Sequence, residues 1–292
     1  MIRDLQTQPQ QTMKTVKTKL FVLALLSAFS LQPLALHAQG SLTPPPGAPA
    51  PTMKSLDQIE ARTPISSAPF AITQSGSYYL TTNLTGVSGQ SGIYVFANNV
   101  TLDLNGFSIL GGSGSGNGIF ISSTNATVRN GTITGWTNSG VTGIECASGQ
   151  NVVLAGLTVS GNTSGVDSFV NNVEIRDCMV CGNTVDGIYV GGSDCLIIGN
   201  NCAGNNTENY SGGAGIAIGG ASNRVEGNHV TGSGASGSGI VIVNNPAYTN
   251  NIVVKNSVEG GANNYSFNAS ENDVGPIGSA ATNTSPWGNI SH

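Results

Sequence analysis

The sequence predicts an all-β solenoid of about seven rungs, and three observations predict it. The first is a repeat. Gly165-Val166-Asp167-Ser168, then Val173 to Val180 and Gly182-Asn183, recur as Gly187-Ile188-Tyr189-Val190, Cys195 to Cys202 and Gly204-Asn205, a period of 22 residues. Periods of roughly 20 to 50 residues mark stacked arrays. The second is a set of glycine-hydrophobic starts at Gly92, Gly118, Gly143, Gly165, Gly187, Gly215 and Gly239, spaced 22 to 28 residues apart. The third is composition: 41 glycines and 9% charged residues in 292 suit short strands joined by tight turns.

Taken from the start, residues 1–38 read as a secretory signal. Lys14, Lys17 and Lys19 precede an apolar run from Leu20 to Leu36, with Ala38 at the expected cleavage point. The run is short and interrupted for a span, and no later segment has the length to cross a bilayer. An exported protein is expected: secreted, periplasmic or at the cell surface. Removing residues 1–38 takes away Arg3, three lysines and Asp4, so the net charge goes from −5 to −8. That balance argues against nucleic acid, whose binding is dominated by phosphate neutralisation.

Residues 39–69 read as a Pro-rich linker (Pro44, Pro45, Pro46, Pro49, Pro51) followed by a short capping helix from about Met53 to Ala61. Its signals are the capping-box spacing of Ser55 and Gln58 and the recurrence of Met53, Leu56 and Ile59. Strands near Phe70-Ala71-Ile72 and Tyr78-Tyr79-Leu80 lead into the solenoid, which is expected over residues 70–260. Residues 261–292 read as a C-terminal cap or tail, with Trp287 as an aromatic cover for the last rung.

Within each rung the first strand points its first and third residues inward, because strand side chains alternate faces. This gives Ile93/Val95, Ile119/Ile121, Ile144/Cys146, Val166/Ser168, Ile188/Val190, Ile216/Ile218 and Ile240/Ile242. Four further inward columns follow. They begin at Leu102, Leu104, Phe107 and Ile109 and end at Asn251, Val253, Asn256 and Val258. The third column turns to amide at Asn200, Asn228 and Asn256, which predicts an asparagine ladder. Cys146, Cys178, Cys195 and Cys202 fall in inward columns and Cys181 outside them, so free buried thiols are favoured over a disulfide of Cys178 with Cys202 or Cys195. No cysteine or histidine spacing reads as a metal site, and no cofactor is implied.

With these columns in place, residues 92–260 resemble the right-handed parallel β-helix repeat proteins of the pectin lyase-like superfamily. The resemblance lies in the Gly-Ile-x-hydrophobic starts and in endings such as Val225-Glu226-Gly227-Asn228-His229-Val230 and Val159-Ser160-Gly161-Asn162. The lead-ins Ser75 to Leu80 and Asn99 to Gly106 carry it as well. It implies a single-stranded right-handed parallel β-helix. It implies little about activity, since the fold hosts lyases, hydrolases, esterases, epimerases and phage spikes. Arg129, Arg176 and Arg224 match no pectate lyase motif. The Asp-Asp and Gly-His-Gly of polygalacturonases and the Asp-Pro-His-Asp of mannuronan epimerases do not occur.

The outward residue of each first strand forms its own column: Tyr94, Phe120, Glu145, Asp167, Tyr189, Ala217, Val241. Two carboxyls on adjacent rungs sit between aromatics, an arrangement suited to sugar-ring stacking by Tyr94, Phe120 and Tyr189 and to proton transfer by Glu145 and Asp167, with Asp186 as a third acid. Two unit charges about 5 Å apart repel by roughly 0.8 kcal/mol in water and about 3 at an effective dielectric of 20, enough to hold a proton on one of them. His229 is read as an exposed side chain near Glu226, and Arg176-Asp177 as a surface ion pair. Three functions follow: a polysaccharide-binding or cell-surface module, a polysaccharide lyase or glycosidase-like enzyme using Glu145 and Asp167, or a structural spacer.

Overall fold

The computed structural model describes residues 61–138, 142–267 and 271–292. The expected signal and linker, and all but Ala61 of the expected capping helix, lie outside them. The described chain is a parallel β-helix in which every pairing between named strands is parallel. One sheet stacks nine strands: Phe70–Ile72, Ile93–Val95, Ile119–Thr124, Thr142–Gln150, Ser164–Ser168, Ile188–Val190, Ala214–Ile218, Ser238–Ile242 and Asn263–Ser266. We call this the first face. All seven expected starts lead into its strands, and Phe70–Ile72 and Asn263–Ser266 extend the stack at either end. Phe70–Ile72 pairs in register with Ile93–Val95, so the lead-in is itself a rung.

The remaining strands form an eighteen-stranded sheet that bends into a second and a third face. Leu196–Ile198, Arg224–Glu226 and Ile252–Val254 stack on the second. Asn201–Ala203, His229–Thr231 and Ser257–Glu259 stack on the third. Ala126–Thr134 and Val153–Ser160 each run across both. The inward residues of the first face are fully or almost fully buried, as are Val128, Leu154, Ile175, Ile197, Val225 and Val253 on the second and Ile133, Val159, Val180, Cys202, Val230 and Val258 on the third. Alternation along most strands therefore sends one residue to a continuous core and the next to the outer surface, although Ala214–Ile218 is buried throughout.

One rung departs from the expected columns. Val100 pairs with Ala126 and Leu102 with Val128, so the register is two residues earlier than expected. Leu104 then fills the space beside Gly131, where a Cβ would come within 2.3 Å of the leucine's own Cβ, and Phe107 is only partly buried. A glycine in the third column is thus matched by a leucine from the rung before it.

The corners explain how such short strands close into a rung. Seven successive bends from the first to the second face each hold one residue in the left-handed region: Asn99, Asn125, Asn151, Asn172, Asp194, Ser222 and Asn250, all with φ between 56° and 61°. Asparagine and aspartate adopt this conformation more readily than most side chains. The residue after each corner points inward, and where it is asparagine it builds a ladder. The Asn228 carbonyl oxygen accepts from the backbone N–H of Asn200 at 2.9 Å and from its amide at 3.0 Å, while the Asn228 amide donates to the Ile197 carbonyl at 2.9 Å. Asn256 repeats this toward Asn228, and Asn289 toward Asn256.

The expected ladder is therefore present, and two more stand at the other corners. Asn162, Asn183 and Asn205 link through amide and backbone donors, with Trp136 heading the row by donating its backbone N–H to Asn162. Asn223, Asn251 and Asn272 form the third. Cys178 and Cys195 occupy the next rung of two of these rows, their backbone N–H groups donating to Asn200 and Asn223. Cys146, Cys178, Cys195 and Cys202 are buried free thiols and Cys181 is half-buried, as the register predicts. Burial pushes the Cys146 thiol up to about 12. Replacing Asn228 by leucine removes the acceptor of two buried Asn200 donors, each costing about 1–3 kcal/mol when unsatisfied. Asn228→Leu should lower stability by about 2 kcal/mol or more in chemical denaturation, and an unchanged melting temperature would count against the ladder's role.

Candidate functional site

The outward column of the first face is assembled by the strand register. Tyr94 pairs with Phe120, Phe120 with Glu145, Glu145 with Asp167, and Asp167 with Tyr189, so all five side chains leave one face at successive rungs. Ala217 and Val241 continue it without charge. All five site residues are half-buried rather than freely solvated. A neighbouring rung in the solenoid lies about 4.8 Å away, which forces the two carboxyl residues together.

Each acid has a different anchor. Glu145 accepts from the side-chain amide of Asn117, whose own carbonyl oxygen accepts from the Thr142 backbone at 2.9 Å. Asp186, two residues before its strand, accepts from the Ala214 backbone N–H at 2.7 Å. No hydrogen bond ties down the Asp167 carboxyl among the described residues. Burial, then the negative charges of Asp186 and Glu145, push Asp167 up to about 7. Burial also raises Asp186, to about 6, with the Ala214 N–H working in the opposite direction. Tyr189 is shifted upward by burial and then by Tyr248, Asp167 and Asp186. The structure thus brings together all three acids singled out from the sequence, with Tyr189 beside them.

The aromatics extend further than the column read from sequence. Phe96 and Phe169, each two residues beyond an outward position, form a second row. Phe96 is 48% and Phe169 53% exposed. Phe96 stacks on Tyr94 with ring centroids 5.5 Å apart and meets Phe120 edge-on at 6.3 Å. Phe169 lies 5.8 Å from Tyr189. The bulge between Cys146 and Ser148 falls in the same row, on the Glu145 rung next to that of Phe169. At Gly219 a Cβ would stand 2.5 Å from the Tyr189 hydroxyl, so absence of a side chain there makes room for the phenol. Phe96, Phe169 and Asn117 were not singled out in the sequence, although the period-two alternation, continued one step past each strand end, reaches both phenylalanines.

Other candidates resolve simply. His229 is exposed on the third face between Asn201 and Ser257. Glu226 pairs with Arg224 and Lys255 rather than with it. Arg176 pairs with Asp177 at 3.4 Å and also with Glu174 at 2.9 Å. Among the described residues no group of three or more His, Cys, Asp or Glu is placed to hold a metal ion, and no helix is long and apolar enough to cross a membrane.

No protein-family model and no curated protein matches the chain. Solved structures do. The Azotobacter vinelandii mannuronan C-5 epimerase AlgE6 A-module aligns with a TM-score of 0.57 at 19% identity, over 75% of this chain and 61% of that one. The Dettilon tailspike protein aligns with a TM-score of 0.50 at 14% identity, over 74% of this chain and 50% of that one. The chain therefore spans about half to three-fifths of the length of these structures. At such identities the likeness establishes the fold, the right-handed parallel β-helix.

The raised Asp167 makes stability depend on pH. Between about pH 4 and pH 7 the unfolded chain has released this proton and the folded chain keeps it, so stability falls as pH rises through that window and levels off above it. Asp167→Asn should flatten the slope and stabilise the protein at neutral pH by at least about 1 kcal/mol. Denaturation profiles of the two proteins from pH 4 to pH 8 check this; parallel profiles would show that Asp167 titrates normally.

Proposed function

We propose that the outward column of the first face binds an extended polysaccharide on an exported protein. The observation that carries this reading is the continuous row Tyr94, Phe120, Glu145, Asp167 and Tyr189, widened by the exposed rings of Phe96 and Phe169. Aromatic faces accept the apolar C–H faces of sugar rings, and carboxyls accept hydrogen bonds from sugar hydroxyls. Rungs that repeat along the solenoid offer such contacts at regular intervals, which suits a linear polymer better than a compact ligand. The same fold in a mannuronan epimerase module supports a carbohydrate-related role.

One observation favours chemistry at the same place. A carboxyl with its pKa near 7 is about half protonated at neutral pH, and Asp167 stands one rung from Glu145. Such a pair offers a proton donor and an acceptor on one surface. In that reading Asp167 delivers a proton to a bridging oxygen, Glu145 takes one from water or from the sugar, and Asp186 keeps the Asp167 proton in place by its charge. The reaction class is that of a polysaccharide lyase or glycosidase.

Both readings are tested by screening the protein against acidic and neutral polysaccharides, following binding and new reducing or unsaturated ends together. Phe96→Ala with Phe169→Ala should weaken binding at least tenfold, about 1.4 kcal/mol. Glu145→Gln with Asp167→Asn should abolish product while leaving the rings to bind, if there is catalysis. Absence of binding and of product on every polysaccharide would sink the proposal and leave a structural spacer.

A further inference from the structure

We propose that the outer surface of the last rungs, on the second face, carries a separate site for a single neutral pyranose ring. The choice of a sugar draws on the carbohydrate reading of the first face, but the site stands on different residues. A cavity of about 380 Å³ is lined by Arg224, Ile252, Val254, Asp273 and Trp287, among others. Arg224, Ile252 and Asp273 are register partners on three consecutive rungs, so the cavity follows the sheet surface with an aliphatic floor between a cation and an anion. Trp287 is 52% exposed and forms a wall from the C-terminal segment.

The wall is held in place. Lys255 Nζ lies 4.6 Å from the indole centroid and 2.7 Å from Glu226 Oε1, while Arg224 Nε lies 2.7 Å from Glu226 Oε2. Lys255 itself has φ 58°, at a corner where earlier rungs carry Gly156, Asp177, Gly199 and Gly227. A long side chain in the left-handed region is uncommon and costs backbone strain, which the equivalent corners of earlier rungs limit with glycine, asparagine or aspartate. Here the strained residue directs its ammonium to both the indole and Glu226.

The chemistry of the lining selects the ligand. Arg224 and Lys255 balance Glu226 and Asp273, so the site has no net charge to draw an anion or a cation. What it offers is an apolar floor and an aromatic wall for a C–H face, with Arg224 to donate to hydroxyls and Asp273 to accept from them. The volume sits at the lower end of the small-ligand range of about 300–1,000 Å³, which suits one ring rather than a chain.

The two tryptophans allow a direct test. Trp136 is fully buried in the core, so a ligand-dependent change in emission reports on Trp287. The full chain is titrated with methyl glucopyranoside, galactopyranoside and mannopyranoside, and with glucuronate and glucosamine, while tryptophan fluorescence is recorded. A saturable change with at least one neutral glycoside is expected, weaker with the charged sugars. Asp273→Asn and, independently, Arg224→Gln should weaken it at least tenfold, with unchanged melting curves. Phe96→Ala with Phe169→Ala should leave it intact. No saturable change with any neutral glycoside, a stronger response to a charged sugar, or loss of the response in the phenylalanine variant would overturn the proposal. Polysaccharide binding that survives Asp273→Asn but not the phenylalanine variant would retain the first-face reading and keep the two outcomes separate.

Discussion

Everything in this molecule depends on closing a rung in some 22 to 28 residues without leaving the corner backbone unpaired inside it. Short strands cannot do this alone, because each corner turns peptide groups away from the sheet ladder and into a dry interior. The solution recurs at all three corners: a residue in the left-handed region, then an inward residue that is in most rungs either apolar or an asparagine. Where that residue is asparagine, its carbonyl accepts two donors from the rung before it and its amide donates to a strand carbonyl. No atom of the buried Asn200 or Asn228 amides is left without a partner. A buried amide is costly when isolated and stabilising when stacked, so the ladder favours its own continuation.

The same alternation that fills the core dictates the outer surface. Once Val166 and Ser168 point inward, Asp167 must point outward, and its neighbours above and below are fixed by the register rather than by local choice. Stacking thus places acids at distances that freely chosen surface positions would avoid. Ala217 and Val241 show that the scaffold accepts uncharged residues at equivalent positions. The carboxyl cluster is consequently not required by the fold, and burial of Asp167 works against its ionisation. Features that work against stability without a structural return point toward function.

Much of this was legible in the sequence, and the parts that were not share a cause. The inward columns, the ladder at Asn200, Asn228 and Asn256 and the stacked Glu145-Asp167 pair all follow from glycine-hydrophobic starts laid over one another. The reading slipped by one pair of residues at Leu102, because Leu104 also looked inward and does point inward, filling the room left by Gly131. It faded after Gly260 because the residues that continue the ladders there, Asn272 and Asn289, arrive with altered spacing and little apolar company. Phe96 and Phe169 were missed for a related reason. They lie just past strand ends, where periodicity stops being a reliable guide to direction.

Those unread residues change how the surface works. A column of acids alone would be a solvated stripe, where neighbouring charges act through water and shift a pKa only modestly. Beside Asp167 stand the exposed ring of Phe169 and the half-buried phenol of Tyr189, the latter fitted against the bare backbone of Gly219. Burial is the largest cause of the Asp167 shift, ahead of either neighbouring charge. The Asp167 proton is thus retained chiefly because the carboxyl is kept from water, with the neighbouring charges adding to that effect.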